Sequence, residues 1–327
     1  MTKTIGEIAK LAGVAKSTVS RYLNGGSVSA KTKLKIETVI TETGYVPNTF
    51  ARSLKAKKTN IIGTIVPRLN SFATAQTLIG IDEELKDSEY QLLISNTSQD
   101  LNREIDSIYS LANQKVAGLI LLATKVTERH LDALNKVNIP VILVGQQSEE
   151  CYSLIHDDEH AGFEIGKYVI GQGHSNIVYL GVSEEDIAVG VKRKKGFKRA
   201  TYDAKCAVHF AETDFDLKEA MKKFDYLYET YKPTIIVCAT DNIALGILKA
   251  AQLKGLKVPD DLSITGFGGY DITEITHPSI TTVQYYYKEA GLTAAKNIIK
   301  LINNEEIHKL TMSKTELVIR ESVDKIR

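Results

Sequence analysis

The sequence predicts an all-α head of helix-turn-helix type followed by a two-lobed α/β body. Three observations carry that expectation. Residues 4 to 44 hold three short helical patterns, each with its own start or stop signal. From residue 60 onward, continuous apolar strand candidates alternate with helix-period segments. Charge divides at the same place: residues 1 to 59 hold 11 Lys or Arg against 3 Asp or Glu, and the remainder holds 30 against 37. The near-neutral total of +1 hides a basic module on an acidic body, so a polyanionic partner is expected for the module alone.

Thr4 followed by Glu7 is a capping box, opening a helix with Ile5, Ile8 and Leu11 expected on one inward face. Gly13 supplies a tight turn. Lys16 to Leu23 then resumes a helical pattern with Val19 and Leu23 inward and Lys16, Ser17, Ser20 and Arg21 outward. Those outward side chains can reach base edges or phosphates in a major groove. A third helix, capped by Ser29 and stopped by Gly44, runs through Leu34, Ile36, Val39 and Ile40 and covers the pair. A small helical bundle with a solvated basic face is the plainer reading of this segment. The residues that follow discriminate: Tyr45-Val46-Pro47-Asn48 breaks the helix, and residues 48 to 54 can form one or two more amphipathic turns before the linker Lys55 to Thr59.

The length of 327 residues with 43% apolar content is enough for two to three domains with a sizeable core. No apolar run reaches membrane length and no signal-peptide pattern precedes Thr4, so a cytoplasmic location is expected. Cys151, Cys206 and Cys238 are odd in number and far apart, suggesting neither a disulfide framework nor a zinc site. Strand candidates are Ile61 to Val66, Gln91 to Ser95, Ala117 to Leu122, Pro140 to Val144, Ile177 to Leu180, Thr234 to Ala239 and Leu262 to Phe267. Apolar strands separated by helices form parallel sheets covered on both faces, with ligand loops at their carboxyl ends. The count exceeds one ordinary sheet, and the polar stretch Gln146 to Tyr152 falls midway, so two lobes with a cleft are expected.

The run I-A-K-L-A-G-V-A-K-S-T-V-S-R-Y-L-N, with G-Y-V-P-N and A-R-S-L-K after it, resembles the head of the lactose/galactose repressor (LacI/GalR) family of bacterial transcription regulators. G-H-S-N-I-V-Y-L-G, K-R-K-K-G-F, A-T-D-N-I-A-L-G and H-P-S-I-T-T-V extend the resemblance through the body. It implies a type I periplasmic-binding-protein-like body behind the helix-turn-helix head and a hinge helix. The implied domains are 1–46 for the head, 47–59 for the hinge and linker, and 60–327 for effector binding and dimerisation. The chain should cross between lobes three times, giving one lobe from 60–157 plus 286–306 and another from 158–285 plus 307–327. The implied partners are a pseudo-palindromic operator in double-stranded DNA, a second copy of the chain and a small sugar or sugar phosphate. No metal, cofactor or membrane is implied.

The resemblance places Thr4, Ile5, Lys16, Ser17, Thr18, Ser20, Arg21, Asn24, Thr32, Tyr45, Asn48, Ala51 and Leu54 against DNA. Lys16, Ser17 and Arg21 would lie on the recognition helix, and Asn24 and Thr32 on the backbone. Leu54 would wedge into the minor groove; an apolar residue among Arg52, Lys55, Lys57 and Lys58 suits that role, with packing on the body as the rival reading. Ala15 departs from the relatives that carry a capping Ser there.

Predicted strand ends and family position together nominate Arg68, Asn70, Ser71, Phe72, Gln146, Arg193, Thr240, Asp241, Gly268 and Tyr285 for the effector. Arg193 would be the sugar-binding arginine, while Phe72 and Tyr285 would offer ring faces to a sugar. Asp241 serves equally well as a helix N-cap and Phe72 as core. Where many relatives have G-[FY]-D-D, this chain has Gly266-Phe267-Gly268-Gly269, and Gly145 stands where an Asp is common. A less acidic pocket with Arg68 at a strand end is then expected, which suits an anionic ligand. Arg68-Leu69-Asn70-Ser71 resembles trehalose-6-phosphate-responsive repressors, whereas S-F-A-T-A-Q-T, Q-K-V-A-G and E-D-I-A-V-G-V-K-R-K-K-G-F are most similar to sucrose operon repressors of Gram-positive bacteria. Sucrose or its 6-phosphate is the expected inducer.

Rival readings are a metal site at His156-Asp157-Asp158-Glu159-His160, a plain sugar-binding protein, and a catabolite-type regulator with a protein corepressor. Asp157-Asp158 before an apolar-periodic segment suits a helix cap better than a metal site, and Walker-A and G-x-S-x-G patterns are missing from the sequence. No enzymatic activity is expected.

Overall fold

The computed structural model describes residues 3–23, 25–45 and 59–326 and divides the chain into two compact units that part between Thr59 and Asn60. In the first unit, α1 (Ile5–Ala12) begins with Thr4 and Glu7 satisfying each other's backbone N–H groups and ends at Gly13 with φ 63°. Next come α2 (Lys16–Leu23) and α3 (Ala30–Thr43), the latter capped by Ser29 and stopped by Gly44 at φ 59°. Both stops need positive φ, which glycine adopts at no steric cost.

Ile8, Ala9, Ala12, Val19 and Ile36 form the core of this unit, with Ile5, Tyr22, Leu23, Val39, Ile40 and Tyr45 packed around it. Leu11 and Leu34 were expected inside and are 55% and 66% exposed. At about 100° per residue, Leu11 lies more than a quarter turn from the middle of the arc shared by Ile5, Ile8, Ala9 and Ala12, and Leu34 lies on the side opposite Ile36.

The second unit contains two six-stranded sheets. In chain order it runs β1 (Ile61–Val66), α4 (Phe72–Asp87), β2 (Gln91–Asn96), α5 (Leu101–Asn113), β3 (Gly118–Leu122), α6 (Glu128–Val137), β4 (Val141–Val144) and β5 (Tyr152–His156). Beyond the first crossing come α7 (Asp158–Gly171), β6 (Asn176–Gly181), a π-helical turn (Ile187–Arg193), α8 (Lys194–Thr201), β7 (Ala207–Glu212) and α9 (Leu217–Tyr231). The second lobe continues with β8 (Ile235–Cys238), α10 (Asp241–Leu253), β9 (Ser263–Gly268), α11 (Asp271–Ile275) and β10 (Thr281–Tyr285). Last are α12 (Tyr287–Ile302), β11 (Leu310–Ser313) and β12 (Thr315–Val318).

The first sheet has the order β11-β5-β4-β3-β1-β2 and the second β12-β10-β9-β8-β6-β7. Neighbours pair in parallel except β10 and β12. The central strands are buried on both faces, as their unbroken apolar runs require. The chain crosses between lobes after His156, after Tyr285 and after Ser313.

One expected lobe boundary is corrected. Residues 307–313 were assigned to the second lobe, yet β11 joins the first sheet, pairing Leu310 with Ser153 and Ser313 with His156. The free edge of β5 supplies the hydrogen-bonding row that β11 fills. Its alternating exposed Leu310 and Met312 look like a surface segment and mask the strand. Among the described residues, no helix is long and apolar enough to cross a membrane.

Candidate functional site

On the head, α2 exposes Lys16, Ser17 and Arg21 to solvent, with Thr18 and Ser20 half-buried beside them. Thr32 is occupied locally: its backbone N–H and hydroxyl both meet the Ser29 hydroxyl, at 3.3 and 2.8 Å. Thr4 is held in the capping box, while Ile5 and Tyr45 pack on the core and contribute more to its shape than to an open face. The Tyr22 hydroxyl donates to Glu37 at 2.8 Å and ties α2 to α3, a link the spacing of apolar residues does not reveal. Asn24, Asn48, Ala51 and Leu54 lie outside the described residues.

In the body, the loops at the carboxyl ends of both sheets face each other across a cleft. It has an outer cavity of about 910 Å³ and an inner compartment of about 150 Å³. Arg68, Ser71, Thr124, Asp186, Phe215, Thr240 and Tyr270 border both. The combined space lies slightly above the range of about 300–1,000 Å³ that small-ligand sites occupy, and the outer cavity alone lies within it. Of the expected set, Arg68, Asn70 and Ser71 line it from the first lobe together with Gln146, while Arg193 and Thr240 line it from the second.

The lobes touch across this space. Arg68 lies 3.9 Å over the Phe215 ring, Phe72 packs against Tyr270 with ring centroids 4.3 Å apart and planes tilted by 30°, and Lys125 pairs with Glu185 at 3.3 Å. The Ile187 N–H also donates to the Thr124 carbonyl at 3.4 Å.

Four expected site residues are placed otherwise. Phe72 meets Tyr270 and does not border the cavities. Asp241 is fully buried, accepting the Thr282 hydroxyl at 2.6 Å and the Tyr270 N–H at 2.8 Å. Burial pushes its pKa up to about 6 against both hydrogen bonds. It positions Tyr270, and the cap of α10 is Thr240, which accepts the Ile243 N–H. Gly268 sits at φ 145° under the Tyr270 ring, which occupies the place a side chain would take. Tyr285 is buried behind Arg193, its hydroxyl donating to Asp158 at 3.0 Å.

Arg193 is the best-held group of the cleft. Its Nε donates to Asp158 at 2.8 Å and its Nη1 to the Ala239 carbonyl at 2.8 Å, with the guanidinium carbon 4.5 Å over the Tyr285 ring. The close crossing of α7 and α8 puts Gly162 against the Arg193 carbonyl, where no side chain fits. Arg68 differs: among the described residues it has no carboxylate within ion-pair distance, and burial lowers its pKa against the pull of Tyr270 and Asp186.

The pocket lacks carboxylates at Gly145, Gly268 and Gly269, as the sequence states, but acidic side chains reach it from other loops. Glu185, Asp186, Asp214 and Asp216 border the outer cavity from the second lobe. Asp186 stands inside the quoted motif E-D-I-A-V-G, whereas Asp214 and Asp216 follow β7, an edge strand whose mixed burial pattern hides it from an apolar search. His156 borders the inner compartment with its pKa lowered by burial to about 4, Asp157 caps α7 through the His160 N–H, and Asp158 serves Arg193. That segment therefore points its donors in different directions. No group of three or more His, Cys, Asp or Glu among the described residues converges to hold a metal.

Comparison with known proteins bears on both units. A family described as bacterial regulatory proteins, lacI family, matches residues 4–48, and a periplasmic binding protein-like domain matches residues 167–323. The sucrose operon repressor of Staphylococcus xylosus is 41% identical over 308 residues, covering 94% of this chain and 96% of that protein. Catabolite control protein A of Priestia megaterium is 32% identical, covering 94% and 95%. The crystal structure of the Lac repressor dimer bound to operator and the anti-inducer ONPF shares the fold with a TM-score of 0.89 over 99% of this chain and 100% of that one, at 24% identity.

Proposed function

The chain belongs to the LacI family of bacterial regulatory proteins, and from that membership we propose that it represses a sucrose-utilisation operon and is released from DNA by sucrose or sucrose 6-phosphate. It is a DNA-binding transcription regulator and not an enzyme, and it works in the cytoplasm. The head reads base edges with Lys16, Ser17 and Arg21 of α2. One such helix reads only a few base pairs, so two heads of a dimer on a pseudo-palindrome supply useful specificity. The similarity to a sucrose operon repressor across nearly the whole of both chains supports the sugar assignment.

The observation that carries the inducer class is Arg68. It is a half-buried cation without a carboxylate partner among the described residues, placed where outer and inner cavities meet. A guanidinium there can bind phosphate bidentately or donate to sugar hydroxyls. A ligand touching both lobes shifts their arrangement by its preference for one state over another, and the hinge segment transmits that shift to the paired heads. The test is to titrate sucrose, sucrose 6-phosphate, fructose and trehalose 6-phosphate into a complex of the protein with its operator and follow release. Release by sucrose or its 6-phosphate at the lowest concentration is expected; indifference to both, with release by another sugar, overturns the assignment.

A further inference from the structure

We propose that Asp186 reads hydroxyl groups of the effector, supplying from the π-helical turn the carboxylate that Gly268 and Gly269 lack. The inference rests on the sugar assignment above and adds a specificity-determining residue to that cleft. Asp186 borders both compartments. Its Oδ1 accepts the Val189 N–H at 2.9 Å, capping the turn Ile187–Arg193, while its other oxygen has no hydrogen-bond partner among the described residues and is not sealed from the cavity. A carboxylate fixed through one oxygen and open through the other is an oriented acceptor. Only a ligand donor, or water in its absence, can complete it.

The turn that carries Asp186 is held by contacts on two sides. Gly190 packs against the Ser183 carbonyl, where a side chain would collide, and the Ile187 N–H is held by Thr124 of the other lobe. The same turn ends in Arg193, so one element delivers an acceptor at its start and a donor at its end. Adjacent hydroxyls on a sugar ring both donate and accept, and this pairing matches them. A phosphate beside Asp186 would meet like charge, so a phosphorylated effector would direct that group toward Arg68. Burial also raises the Asp186 pKa, against the pull of the Val189 N–H, Arg193 and Arg68.

Asp186→Asn separates binding from capping, because Asn caps a helix start as well as Asp while losing the charged acceptor. The experiment is calorimetry on the full chain, wild type and Asp186→Asn, with sucrose, its monodeoxy analogues and sucrose 6-phosphate. Loss of a charged hydrogen bond should weaken sucrose about ten- to a hundred-fold with an unchanged thermal midpoint. One monodeoxy analogue should weaken wild type by a similar factor yet leave Asp186→Asn indifferent, because the two changes remove the same bond. Equal sucrose affinity in both proteins, or a gain in sucrose 6-phosphate affinity on Asp186→Asn, overturns the inference while leaving the sugar assignment intact. Failure of wild type to bind any of these sugars overturns both.

Discussion

Arg193 and Asp158 form a buried ion pair at 2.8 Å, and the Tyr285 hydroxyl donates to the same Asp158 oxygen, so the base of the cleft is a closed charge network. Removing one member leaves the other buried without its charge partner. Asp158→Ala should therefore destabilise the body by about 3–5 kcal/mol, the usual cost of leaving a buried charge uncompensated. Asp158→Asn, which keeps one acceptor, should cost less. Urea unfolding of both variants checks the order, and equal stability of Asp158→Ala and wild type would show that Arg193 finds another partner.

Arg68→Ala tests the chemistry of the inducer. If the effector is phosphorylated, this change should weaken it about a hundred-fold or more while repression in its absence persists, since a bidentate guanidinium–phosphate pair contributes about 3 kcal/mol. Arg193→Ala should instead weaken neutral and phosphorylated sugars alike. Calorimetry with sucrose and sucrose 6-phosphate on both variants reads the difference; tight binding of plain sucrose indifferent to Arg68 would leave the unphosphorylated sugar as the inducer.

Two buried groups give opposite pH dependences to the stability of the body. His156 has its pKa lowered by burial to about 4, so its contribution is intact above about pH 6.5 and is lost as pH falls toward 4, where the unfolded chain takes up the proton more readily. Asp241 has its pKa raised by burial to about 6, so its contribution is present below about pH 4 and is lost as pH rises through 6. His156→Gln should raise stability at pH 4.5 relative to pH 7, and Asp241→Asn should lower it. Urea midpoints at the two pH values, taken as differences from wild type, give both signs; parallel shifts would mean that neither group titrates in this range.

The head variants should separate reading from positioning. Substituting Lys16 or Ser17 should change the preferred operator sequence, whereas Thr32→Ala should weaken all sequences alike because backbone contacts carry no sequence information. Binding-site selection with each variant makes the comparison, and an unchanged consensus for both recognition-helix variants would contradict it.

Leu54 lies outside the described residues, and its expected role in the minor groove has its own test. Leu54→Ala should weaken operator binding by about 1–3 kcal/mol while leaving the salt-dependent affinity for random DNA unchanged, because a wedge acts through DNA deformation and not charge. Equal losses on both DNAs would remove Leu54 from the interface.

The head was legible because its signals are local. Thr4 with Glu7, Gly13, Ser29 and Gly44 each satisfy or end a helix through neighbours within four residues, and the structure uses every one of them. The apolar runs of β1, β3, β4, β8 and β9 were legible because strands covered on both faces leave no polar alternation to confuse them. The edge strands β7 and β11 were not, although the edge strand β2 was: β7 and β11 carry mixed burial, and their existence depends on a partner far away in the chain.

Periodicity, capping and charge counted along the chain determined the helical head, its basic character on an acidic body and the two-lobed plan, whereas the class of protein and several of the residues expected at the cleft came from the resemblance of its motifs to the LacI/GalR family. Tertiary structure decided which side chains the cleft loops turn inward. Asp241 and Tyr285 were withdrawn from the cleft because a long-range hydrogen bond to Thr282 or Asp158 repays their burial, and Gly268 was covered by the Tyr270 ring. Asp186, Tyr270 and Phe215 were brought in by strand crossings and a π-helical turn whose geometry depends on contacts with distant residues. The physical reason is that satisfying a buried polar group is a question about three-dimensional neighbours. A sequence states which groups need partners, and only the folded chain supplies them.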